Sequence, residues 1–163
     1  MITDFKQKIL IDAVKNRDSE LLKQYHDEGY DFNFQFKDHT DNYYNLLYLC
    51  IMDDNDDGDN DSVYFEILKQ LISYGVDINF LSSGSDGEDY IPLSVSLYWE
   101  KYEIFKYLLS VGADINNRES DYKPNILFIF IKNFLENNLD YKYFEILKKY
   151  KNDFNNINIT NIF

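Results

Sequence analysis

The chain has 163 residues, 45% of them hydrophobic, and carries 29 acidic against 16 basic side chains for a formal net charge of −13. That length suits one domain with a sizeable core, and the apolar content excludes a disordered acidic tail. The acidic balance argues against nucleic acid, which wants a basic footprint.

Taken in chain order, the sequence opens on MITDFKQKILIDAVKNRD, charged within its first six residues. No apolar run anywhere approaches the roughly 20 residues that span a bilayer, so the expectation is a soluble, cytoplasmic protein that does not engage a membrane. KILIDAVKN (8–16) predicts a first helix, and ELLKQYHDEGYDFN (20–33) a second that ends at Gly29. The pair then recurs. NLLYLCIMD (45–53) precedes EILKQLISYGVDIN (66–79), and IPLSVSLYW (91–99) precedes EIFKYLLSVGADIN (103–116). NILFIFIKN (125–133) precedes EILKKYKNDFNNIN (145–158).

The four second segments align without a gap. Glu20, Glu66, Glu103 and Glu145 open them, Lys23, Lys69, Lys106 and Lys148 follow three residues later, and Asn33, Asn79, Asn116 and Asn158 close them. Apolar residues at the second, third and sixth positions make a helical stripe, and the Lys points to water. Gly29, Gly75 and Gly112 fall where a left-handed cap is needed; the fourth copy has Phe154 there, which predicts a different ending.

These units resemble ankyrin repeats, over roughly residues 5–158. The best match is 86–116, with Asp86–Gly87 and Ile91–Pro92–Leu93 near the family's hairpin and helix-opening motifs. Ser94 stands for the family's His and Ser96 for its Ala, and Gly112–Ala113–Asp114–Ile115–Asn116 closes the unit as the family does. Leu10 with Ala13, Leu47 with Cys50, and Leu127 with Phe130 hold the family's Leu and Ala positions. The resemblance implies an all-α solenoid of four helix–turn–helix repeats with hairpin-like loops in one domain, 1–163. The repeats fall at about 5–33, 43–79, 86–116 and 122–158. Stacked repeats need polar terminal faces. Leu71–Ile72 and Leu108–Leu109 in the inner units give way to Tyr25–His26 and Tyr150–Lys151 in the outer ones, so the terminal repeats are expected to act as caps.

A run of six Asp lies within residues 53–61, an insertion between the helices of the second unit. Asp53, Asn55, Asp57 and Asp59 around Gly58 fit the first half of a calcium loop, which supplies oxygens from alternate positions about a sharp Gly turn. The second half does not fit: the twelfth position is Tyr64, and Glu66 is two residues late. A solvated turn is therefore expected, with Asp53, Asn55, Asp57 and Asp59 only a weak metal candidate and no cofactor required.

The remaining residues do not assemble catalytic chemistry. His26 and His39 lack a nucleophile nearby, one Cys and two His are short of a zinc set, and Cys50 reads as a buried core thiol. The carboxylates lie on loops with nothing to raise a pKa, so no enzyme is expected. The resemblance implies protein binding through loop tips and the exposed concave side of the first helices. On that register the concave positions are Lys15–Asn16, Met52–Asp53, Tyr98–Trp99 and Lys132–Asn133, with Tyr98 and Trp99 as the candidate anchor. The loop tips add Asp38, Asp41 and Tyr43, then Asp86, Glu88, Asp89 and Tyr90. Residues 27–90 hold 16 acidic and 2 basic side chains, so a basic protein partner is expected, bound by a chain that is monomeric on its own. An inhibitor or immunity-type protein fits; a scaffold or a calcium-responsive module is the alternative.

Overall fold

Three helix pairs follow one another along the chain. In a computed structural model that describes residues 5–37, 42–52, 61–83, 89–116 and 141–150, α1 spans Phe5–Lys15 and α2 Ser19–Asp27. α3 is Leu46–Ile51 and α4 Asp61–Ser73; α5 is Pro92–Tyr98 and α6 Tyr102–Ser110. α7, Tyr141–Leu147, runs into a 3-10 turn at Lys148–Tyr150. Within each pair the helices pack on one another, and the first helices lie side by side, α1 against α3 and α3 against α5. Between the pairs stand two hairpins, β1 (Phe36–Lys37) with β2 (Tyr43–Tyr44) and β3 (Ser82–Ser83) with β4 (Asp89–Tyr90). Tyr43 pairs with Ser83, which joins both hairpins into one antiparallel sheet of order β1-β2-β3-β4.

The repeated stripe is what the core is made of. Leu22, Ile67, Leu68, Leu71, Ile104, Phe105, Leu108, Ile146 and Leu147 are all buried. α3 and α5 are apolar nearly all round and accordingly sit in the middle of the stack. Cys50 is buried, and its thiol donates to the Leu46 carbonyl at 3.9 Å. Ser94 and Ser96, also buried, are satisfied locally. The Ile91 N–H donates to Ser94 Oγ at 3.1 Å, and the two hydroxyls donate to the carbonyls of Ile91 and Leu93. Ser94 thus ties down the start of α5 where the family uses His.

Helix ends follow one scheme. After α2, α4 and α6 the chain turns through Gly29, Gly75 and Gly112 at φ +79°, +84° and +93°. There the next N–H reaches back five residues, Tyr30 to Tyr25, Val76 to Leu71 and Ala113 to Leu108. The same closure ends α1 and α5, but with Arg17 (φ +59°) and Glu100 (φ +55°) in the left-handed position. The fourth unit differs: α7 yields to the 3-10 turn three residues after Glu145, where the other second helices run on to seven.

Repeat is bonded to repeat by asparagine. Asp31, Asp77 and Asp114 each accept the N–H two residues on, from Asn33, Asn79 and Asn116, all at 2.8 Å. The Asn then reaches forward: Asn33 Oδ1 accepts from the Asp77 N–H and Asn79 Oδ1 from the Asp114 N–H, both at 2.8 Å. Asn33 Nδ2 also donates to the Gly75 carbonyl at 2.6 Å. Asn45, 2% exposed, caps α3 by accepting from the Leu47 N–H and donates to the Asp77 carbonyl.

Two element bounds depart from the sequence expectation. α1 starts three residues before the first apolar stretch, and α4 starts at Asp61, the last residue of the acidic run. α4 therefore gains about one turn over α2 and α6, since Asp and Ser are favoured at the start of a helix. The first helix of the fourth unit, NILFIFIKN, lies outside the described residues, as does Phe154.

Candidate protein-docking surface

The hairpins sit at the start of the first helices and the helix–helix turns at their ends. A first helix of seven residues rises about 10 Å, so the candidate contacts fall into two separated groups. Tyr43 on β2 and Asp89–Tyr90 on β4 share the four-stranded sheet. Tyr43 is half-buried and already has the Lys37 ammonium 4.7 Å from its ring centroid. Asp38, Asp41, Asp86 and Glu88 lie outside the described residues, and so do Asp53, Asn55, Asp57 and Asp59.

The second group stands on the turn edge. Met52 closes α3, its N–H donating to the Tyr48 carbonyl at 2.9 Å, and is partly buried. Trp99 closes α5 in the same way, its N–H donating to the Val95 carbonyl at 2.9 Å. Every residue from Pro92 to Leu97 is buried, whereas Tyr98 is 64% and Trp99 39% exposed. Their rings meet edge to face, centroids 6.1 Å apart at 74°. α5 is thus sealed by Pro92–Leu97, and Tyr98 and Trp99 leave aromatic surface exposed at its end.

Two residues on this edge were not singled out from the sequence, and a third, Tyr64, was read only as a calcium-loop position that does not fit. Val63, 42% exposed, stands in the first turn of α4. Glu100 is exposed in its left-handed turn. Tyr64 is buried: its hydroxyl donates to the Lys15 carbonyl at 3.1 Å, and the Arg17 guanidinium lies 4.5 Å from its ring. Tyr64 occupies the twelfth position of the would-be calcium loop, so that position is spent on fastening the second unit to the first. Tyr143 repeats the role in the fourth unit, buried with its ring 5.1 Å from Tyr102 and 5.4 Å from Phe105. The signal was present, since Tyr64–Leu68 and Tyr143–Leu147 both read YFEIL.

The titratable groups are tuned for structure. Among the described residues no group of three or more His, Cys, Asp or Glu could hold a metal ion. On the outer side of α2, a shallow depression is lined by Asp18, Glu20, Lys23, Asp27 and Glu28. There the Lys23 ammonium donates to Asp27 at 2.9 Å and holds that carboxyl below its ordinary value, the opposite of what a general acid needs. Burial pushes the Cys50 thiol far above its ordinary value, which makes it inert.

Stacked helix pairs, left-handed glycine turns and a ladder of hairpins define a repeat protein. The family described as "Ankyrin repeats (3 copies)" matches residues 10–119, more than half of the chain. The chain belongs to the ankyrin-repeat family and is a protein–protein interaction module of the kind typical of that family. No curated protein gives a match. Among the described residues no helix is long and apolar enough to cross a membrane.

Proposed function

We propose that this chain, acting as a monomer with one ankyrin domain over residues 1–163, binds a protein with a basic surface and blocks it. The target class that fits is a toxin or a nucleic-acid-processing enzyme, with this chain as its inhibitor or immunity-type protein. The observation that carries the reading is the exposed Tyr98–Trp99 pair on a chain whose residues 27–90 bear 16 acidic and 2 basic side chains. Carboxylates around an aromatic anchor steer a basic partner in, and the rings hold it. Calcium as the trigger is disfavoured by the commitment of Tyr64 to Lys15.

The test is capture from a lysate of the native host, with nuclease added, using wild type beside Tyr98→Ala/Trp99→Ala. It is followed by assay of the captured protein's activity with and without this chain. One stoichiometric basic protein, lost in the double variant and inhibited by the wild type, is the expected result. Several partners, none inhibited and none sensitive to the substitutions, would make the chain a scaffold instead.

A further inference from the structure

Resting on that basic-partner reading, we propose that the turn edge of the second and third units is the docking surface, with an arginine-bearing segment of the partner as its occupant. Tyr98, Trp99 and Glu100 form its centre.

Elsewhere this molecule places cations over several of its rings. Lys6 lies over Tyr30 at 4.3 Å, Arg17 over Tyr64 at 4.5 Å, Lys69 over Phe65 at 4.6 Å and Lys142 over Tyr102 at 4.8 Å. Among the described residues no Lys or Arg lies over Tyr98 or Trp99. The turn that bears them is the counterpart of the turn that bears Arg17: both hold a non-glycine residue at positive φ with the same backbone closure. In the first unit that position brings a guanidinium to a neighbouring ring. In the third the residue at that position is Glu100, which follows Tyr98 and Trp99 directly in the chain.

An arginine from outside complements what is there. Its guanidinium can lie on an aromatic face and direct its N–H fork to Glu100, and ring and carboxylate together reward the planar cation more than a lysine ammonium. Val63 and Met52, on the second unit's turn, offer apolar surface to the residues that flank the arginine. Six Asp within residues 53–61 follow Met52 in the chain and add to the negative charge of residues 27–90, which favours a positively charged occupant.

Trp99 is the only tryptophan, so its emission reports on this edge alone. The full chain is titrated with a fluorescein-labelled peptide of alternating arginine and glycine, then with its lysine–glycine counterpart. Trp99 emission and peptide anisotropy are both followed, for wild type, Tyr98→Ala and Glu100→Gln. Tyr98 and Glu100 are exposed, and thermal melts verify that the variants fold. The expected result is a saturable change in Trp99 emission with the arginine peptide, weaker binding of the lysine peptide, and a roughly tenfold loss of affinity in each variant. Anisotropy that shows binding while Trp99 is silent and the variants bind as wild type would overturn the edge and leave the basic-partner reading standing. Equal affinity for both peptides would overturn arginine as the occupant. No binding of either peptide would overturn the basic-partner reading as well.

Discussion

Glu100 occupies a backbone conformation, φ +55°, that L residues adopt at a cost of about 1–2 kcal/mol. The second helices reach the same geometry with glycine. Glu100→Gly is therefore expected to raise stability by about 1 kcal/mol, less the extra chain entropy glycine brings to the unfolded state, or about 2–4 °C in melting temperature. Thermal unfolding checks it; a lower Tm would mean that the Glu100 side chain itself stabilises the turn. Cys50 gives a second prediction at this scale. Its folded thiol resists ionisation while the unfolded thiol ionises near its ordinary 9.0, so the burial contribution is intact below pH 9 and lost as pH rises above it. The denaturation midpoint should fall more steeply between about pH 8 and pH 10 in wild type than in Cys50→Ala. A thiol reagent at neutral pH should label Cys50 only at the rate of unfolding. The burial of Cys50 was legible from the sequence, because the repeat register puts it at a small, packed position. The strain at Arg17 and Glu100 was not, because neither residue type marks a left-handed turn.

At the scale of elements, the second helices were the most legible, since four aligned copies expose the stripe that Leu68, Phe105 and Leu147 bury. The hydrogen bonds that join repeats were half-legible. The closing Asn was visible in each copy, but its reach to the next unit's Asp N–H depends on how the units stack. The start of α4 was misplaced because a run of Asp looks like a turn, although acidic residues also open helices. That error hid Tyr64, which the extra turn carries onto the first unit. Tyr64→Phe keeps the ring under Arg17 and removes the bond to the Lys15 carbonyl, so it is expected to lower stability by about 1 kcal/mol in urea unfolding. An unchanged midpoint would show that the hydroxyl is equally well served by water.

For the molecule as a whole, repeat stacking gives two long rims, one of hairpins and one of helix turns, and the candidate residues lie on both. Sequence register placed Tyr98 and Trp99 on the concave side of the first helices; the structure puts them at the end of α5, and their exposure follows from α5 being sealed by Pro92–Leu97. Register could not separate the two rims, because position within a repeat says nothing of the distance between a hairpin and a turn. The measurement that tests the account most directly is hydrogen exchange on the full chain, alone and bound to its captured basic partner. Slowed exchange across the turns of the second and third units, residues 61–64 and 98–103, with the hairpin strands 36–37 and 43–44 unchanged, is the predicted result. Protection confined to the hairpins, with the Tyr98–Trp99 turn exchanging as in the free chain, would contradict it.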